Sequence, residues 1–137
     1  MRERDYKFFN VAREMAKLST WSEVPCEQVG AIIVLRNEII AASYNRKKTN
    51  PFQAHWATVA GRPQAIYPHA EISCLAKLVH NKQTADLHLA KVYVFRETKV
   101  GLGLAKPCDI CTPALKYYGV KNVFYTTDNG YAEEAWK

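Results

Sequence analysis

The sequence predicts an α/β fold built on a mixed sheet of five strands, contained in a single domain of residues 1–137. Two observations carry this expectation. Apolar runs of strand length stand in a hairpin near the start, and further strands then alternate with segments whose apolar residues recur at helical spacing. A chain of this length buries one core and is too short for two.

The first element is a helix. Between Asp5 and Leu18 the apolar residues Phe8, Val11, Ala12, Met15 and Ala16 fall on one helical stripe. Val29–Leu35 and Glu38–Tyr44 then read as two strands joined at Arg36-Asn37, and the first is apolar on both faces, as expected of a strand inside a sheet. From Asn45 to Tyr67 the chain reads as a long irregular connection, punctuated by Asn50-Pro51, Gly61 and Pro63. A second helix is expected from Pro68, with Ile72, Leu75, Ala76 and Val79 as its buried stripe.

Lys91–Phe95 is the third strand, and a glycine-containing loop, Glu97–Lys106, follows it. A third helix is expected after Cys108, with Ala114, Leu115 and Tyr118 on its apolar face and Gly119 as its stop. Lys121–Thr127 reads as the fourth strand. Asp128-Asn129-Gly130 then signals a hairpin, so Tyr131–Trp136 is expected to return as a short antiparallel fifth strand, a short terminal helix being the alternative.

Composition narrows the class of function. Hydrophobic residues make up 48% and charged residues 23% of the chain, the balance of a folded soluble domain. The longest unbroken apolar run is Val29–Leu35, far short of a membrane span. The N-terminal residues alternate charge with apolar side chains and offer no secretory signal core, so a reducing cytoplasmic setting is expected, with the four cysteines as thiols or metal ligands. A net charge of +6 and a pI near 9.2 suit phosphate-bearing partners, although solvated lysines on a basic surface explain the same numbers.

The chemistry is concentrated in two boxes, His69-Ala70-Glu71 and Pro107-Cys108-Asp109-Ile110-Cys111. Zinc takes imidazole nitrogen and thiolate sulfur tetrahedrally, and three protein ligands leave a fourth position open, the ligand count of a catalytic site. Cys108 and Cys111, three residues apart at a helix start, can turn both sulfurs to one ion, and the free N–H groups there favour thiolates. Glu71 projects about 200° around its helix from His69 and so need not compete for the metal. Taken singly, each box has a duller explanation, since a Cys-x-x-Cys also serves redox pairs and structural zinc sites. The redox reading wants the motif after the first strand of a βαβ unit. A structural site wants a fourth ligand, and Cys26, Cys74, His55, His80 and His88 show no paired spacing.

Together these boxes resemble the signature of the cytidine deaminase superfamily, whose members use one zinc ion and a glutamate to remove an exocyclic amine from a nucleobase. The likeness runs from about Cys26 to Tyr125 and includes Val29-Gly30-Ala31-Ile32-Ile33-Val34, similar to the family's first strand, and Ser43-Tyr44-Asn45, similar to the Gly-Tyr-Asn ending its second. It implies a three-layer sandwich with helices on both faces of the sheet. It also implies Zn²⁺ held by His69, Cys108 and Cys111, and Glu71 as general acid and base, moving a proton from the attacking water to the ring nitrogen and then assisting loss of ammonia.

Among members the overall look is closest to deoxycytidylate deaminases, especially phage-encoded ones, so dCMP is the expected substrate. A polynucleotide cytosine or adenine deaminase is the alternative, followed by a non-catalytic zinc-stabilised nucleic-acid-binding module with Glu71 idle. An antiparallel last hairpin would resemble the free-cytidine branch and some polynucleotide deaminases. Asn45 matches a residue that contacts the substrate's sugar or base in the family, and Ala70, Arg46 and Lys48 join it as substrate-binding candidates, the basic Arg46-Lys47-Lys48 run standing at the expected mouth of the pocket. Phe52, Trp56 and Tyr125 are candidates to stack on a base, with core packing as the plainer alternative. Cys74 reads as a small core residue. The resemblance further implies a homo-oligomer in which neighbouring subunits complete the pocket; the short apolar runs argue against a membrane partner, and the N-terminal pattern for a cytoplasmic location, that of the host for a phage-encoded member.

Overall fold

A computed structural model describes residues 1–19, 28–46, 50–65 and 69–136. Cys26, Lys47, Lys48, Tyr67 and Pro68 lie outside the described residues. Four helices, α1 (Glu3–Lys17), α2 (Pro51–Val59), α3 (Ala70–His80) and α4 (Cys111–Tyr117), accompany six strands: β1 (Gln28–Leu35), β2 (Glu38–Tyr44), β3 (Lys91–Thr98), β4 (Gly101–Leu102), β5 (Asn122–Thr127) and β6 (Gly130–Ala135). The sheet order is β2-β1-β3-β5-β6, with the two-residue β4 paired to the end of β3. β3 and β5 run parallel; the other pairings are antiparallel.

Each face of the sheet carries its own core. On one side α1 covers Ile32, Val34, Tyr93, Phe95 and Phe124, with Phe9, Ala12 and Ala16 as its buried residues. This shifts the predicted stripe: Phe8, Val11 and Met15 are half-buried flanks, and the charged Asp5 lies on the buried line instead. Gly30 permits the contact, because a Cβ there would overlap the Ala12 carbonyl and the Ala16 amide on α1. On the other side α2, α3 and α4 cover Ala31, Ile33, Val92, Val94 and Val123. The expected three-layer sandwich follows, since β1 sends alternate residues into opposite cores. α3 lies so deep that Leu78 joins Ile72 and Leu75 as fully buried, while Ala76 and Val79 are half-buried.

Turn chemistry sets the connections. Arg36 and Asn37 hold φ of 51° and 64° in the two-residue loop between β1 and β2, the positive angles that suit the strands' twist. α4 ends in a Schellman arrangement in which Val120 N donates to Leu115 O and Gly119 N to Lys116 O, with Gly119 at φ +95°. β6 is an antiparallel strand and not a terminal helix, its register running from Thr127 opposite Gly130 to Asn122 opposite Ala135.

Two expectations are corrected. The sheet has six strands rather than five, because Thr98 to Gly101 folds part of the Glu97–Lys106 loop back on β3. The connection after Asn45 is also not irregular throughout, since it contains α2. There Asn50 Oδ1 accepts from Phe52 N at 2.8 Å and Gln53 N at 3.2 Å, and Pro51 follows at the first helical position. Among the described residues no helix is long and apolar enough to cross a membrane.

Candidate zinc and catalytic site

The starts of α3 and α4 meet on the face of the sheet opposite α1, and both sequence boxes sit there. His69 is the N-cap of α3, with extended backbone (φ −73°, ψ 158°) and no capping bond from its imidazole. Its Nδ1 lies 3.4 Å from Cys108 Sγ and 3.4 Å from Cys111 Sγ. The three donor atoms fall within 4.8 Å of one another. Zinc bonds of about 2.3 Å to sulfur and about 2.0–2.1 Å to nitrogen would place tetrahedral N and S ligands about 3.6 Å apart. The trio therefore fits a zinc ion in spacing as well as in donor chemistry.

Cys111 begins α4 and is fully buried, whereas Cys108, in the turn before it, is half-buried, and Thr112 N donates to Cys108 O at 2.9 Å to close that turn. A hydrogen bond from Cys111, assisted by His69 and opposed by burial, pushes the Cys108 thiol down to about 3. Burial pushes the Cys111 thiol up, and the neighbouring Cys108 and Glu71 add to that. Burial disfavours protonation of His69, but the Cys108 hydrogen bond and the Glu71 charge outweigh it and raise its pKa. The lowering at Cys108 favours the thiolate, the form that binds metal.

Glu71 stands in the first turn of α3 and is 5% exposed. Burial raises its pKa above the usual carboxylate range, against the pull of His69 and of a hydrogen bond with Cys111. A carboxyl kept from water beside a cluster of metal-ligand donors is suited to taking and returning a proton. Ala70, fully buried between His69 and Glu71, is the first helical residue, whose N–H an α-helix leaves without an intrahelical acceptor.

The other candidates are distributed around this centre. Asn45 is buried at the end of β2, where its Oδ1 accepts from Val29 N at 3.0 Å and its carbonyl accepts from Ser19 Oγ at 2.9 Å. Arg46 lays its guanidinium 4.6 Å from the ring centroid of Tyr44, and its Nε is buried with no hydrogen-bond partner among the described residues. Trp56 and Phe52 pack with Tyr118 between α2 and α4, and Tyr125 Oη donates to Glu134 Oε2 at 3.0 Å, so all three serve packing in this structure. Cys74 is a core thiol donating to Ala31 O at 3.3 Å, and burial pushes its pKa up.

Two residues near the site have no signature in the sequence. Arg62, after α2, places Nη1 2.6 Å from Oδ1 of Asp109, which stands between the two cysteines. Gln53, on α2, is completely buried and bonds the backbone at both Ala65 and His69.

The family model described as the cytidine and deoxycytidylate deaminase zinc-binding region matches residues 2–127. The fold is shared with solved structures at low identity. The dCMP deaminase of cyanophage S-TIM5, in complex with dCMP and dUMP, superposes with a TM-score of 0.63 at 20% identity, covering 93% of this chain and 84% of that chain. The cytidine deaminase of Burkholderia pseudomallei gives 0.65 at 14% identity, covering 98% and 93%. A structure from work on A-to-I editing by tRNA:A34 deaminases gives 0.54 at 22% identity, covering 89% and 71%. No curated protein sequence matches significantly.

Proposed function

The chain belongs to the cytidine and deoxycytidylate deaminase family, and from that premise we propose that this zinc-dependent deaminase converts dCMP and water to dUMP and ammonia. The observation that carries the reading is the buried carboxyl of Glu71, one turn-start away from His69 and hydrogen-bonded with Cys111.

His69, Cys108 and Cys111 would hold the zinc, which when bound supplies Lewis acidity that brings the pKa of water towards about 7. Glu71 takes a proton from the attacking water and gives it to the ring nitrogen next to the amine-bearing carbon. Attack forms a carbon–oxygen bond at that carbon. Glu71 then takes the proton of the new hydroxyl and passes it to the amine, the carbon–nitrogen bond breaks, ammonia leaves, and the new oxygen becomes the uracil carbonyl. The Ala70 N–H at the start of α3 is a donor for the carbonyl of the base. Asn45, whose amide is oriented by its bond from Val29, would meet the sugar or base. The Nε of Arg46, buried and without a hydrogen-bond partner among the described residues, supports a grip on a 5′-phosphate, shared with Lys48.

A polynucleotide substrate is the second reading, favoured by the net charge of +6 and the Arg46-Lys47-Lys48 run. Association of copies of the chain and a reducing cytoplasmic setting belong to the same proposal. Ammonia release from dCMP, deoxycytidine and a cytosine-containing oligonucleotide, measured side by side, tests the substrate. Turnover of dCMP well above the other two is expected, and turnover of the oligonucleotide alone would overturn it.

A further inference from the structure

A glutamine with no exposed surface is costly inside a protein core unless both ends of its amide are paired. Gln53 meets this condition in an informative way. Its Nε2 donates to Ala65 O at 2.9 Å, and its Oε1 accepts from the backbone N–H of His69 at 3.2 Å. One side chain thus clips together the two ends of the segment that delivers the chain into the metal site. The His69 N–H lies outside the hydrogen-bond ladder of α3, because His69 is the N-cap. Its bond to Gln53 is therefore what the helix itself does not provide.

We infer that Gln53 is a positioning residue, which fixes the backbone of His69 so that Nδ1 reaches both sulfurs, and that α2 is the brace for the metal site. The helix is itself held in place. Asn50 caps its start, Trp56 and Ala57 are buried, and beyond its end the Arg62 guanidinium meets Asp109 between the two cysteines. α2 and the turn after it thereby touch both halves of the ligand set, the backbone of His69 through Gln53 and the cysteine turn, at Asp109, through Arg62. A ligand whose supporting hydrogen bond is lost gains freedom that binding must remove, and the metal pocket loosens. The inference rests on the zinc-dependent reading of the site.

The test uses the full chain loaded with Co²⁺ in place of zinc, because the visible bands of cobalt bound by imidazole and thiolates report the geometry of the ligands. Gln53→Met keeps the volume and removes both hydrogen bonds. The expected result is a fold unchanged by circular dichroism, shifted cobalt bands, zinc affinity weaker by about 10-fold or more, and a lower kcat with KM little changed. Gln53→Glu retains an oxygen that can accept from His69 and is expected to keep the wild-type bands. If Gln53→Met does not fold, Gln53→Asn takes its place, withdrawing the amide by about 1.5 Å, with the same readouts. Wild-type bands and zinc affinity in the Met or Asn variant would overturn the inference. Bands as disturbed in Gln53→Glu as in Gln53→Met would also overturn it, since the bond to Ala65 would then be the one that counts. Failure of the wild-type protein to take up Co²⁺ or zinc would instead remove the zinc reading beneath it, whereas shifted bands in a protein that deaminates none of the tested substrates would leave the positioning role standing.

Discussion

Tyr93 Oη donates a 2.5 Å hydrogen bond to Asp5 Oδ1, pinning the first turn of α1 to the central strand β3. Burial opposes ionisation of Asp5, but the bond from Tyr93, the bond from Arg2 N and the charges of Lys91 and Arg4 outweigh it and hold its carboxyl below the usual range. Because the folded pKa is lowered, the stabilisation is present above the unfolded value near 3.9 and is lost as pH falls through the folded one. Tyr93→Phe is expected to cost about 1.5–3 kcal/mol at pH 7, the scale of a hydrogen bond to a charged group, and less below about pH 4. Urea unfolding of both proteins at pH 7 and pH 3 checks this, and a penalty that grows in acid would contradict it.

Zinc content gives the second prediction. His69, Cys108 and Cys111 form the one group of three potential ligands close enough to share an ion among the described residues, so wild-type protein should carry about one zinc per chain. Cys108→Ala and Cys111→Ala should each lose most of it. Chelation should also lower stability, by about 4 kcal/mol relative to protein held with free zinc at 1,000 times its dissociation constant. Full zinc retention in both variants, by elemental analysis, would contradict the assignment.

The clustering of His69, Cys108 and Cys111 is legible in the sequence because two short boxes at fixed spacing each open a helix, and the α/β alternation around them is carried by strong apolar periodicity. The hairpins at Arg36-Asn37 and Asn129-Gly130 are legible for the same local reason. α2 escapes because Asn50-Pro51, an N-cap followed by a first-turn proline, has the same residue types as an ordinary turn. Gln53 escapes with it. A lone glutamine acquires meaning once the chain returns Ala65 and His69 to its amide, and Arg62 likewise gains a role when tertiary packing sets it against Asp109. The buried Asp5 breaks the apolar stripe of α1 because its partner, Tyr93, is 88 residues away.

Substrate class supplies the third prediction. If Arg46 and Lys48 grip one phosphate, an Arg46/Lys47/Lys48 triple alanine variant should raise KM for dCMP much more than for deoxycytidine. A polynucleotide would need several phosphates neutralised together, and binding would then fall with salt at a log–log slope of roughly −0.7 per contact. A salt series on dCMP and on an oligonucleotide distinguishes the two. Salt-sensitive deamination of the oligonucleotide without turnover of dCMP would contradict the mononucleotide reading.

In the proposed mechanism Glu71 moves protons at a zinc site that it does not hold together. Glu71→Gln keeps the shape of the side chain and removes its capacity to accept and return a proton. The direct measurement is ammonia release from dCMP by wild-type protein and by this variant, with zinc counted in the same samples. About one zinc per chain is expected in both, with a rate in the variant lower by at least about 10²- to 10⁴-fold. A variant that keeps its zinc and a near-normal rate would contradict the claim.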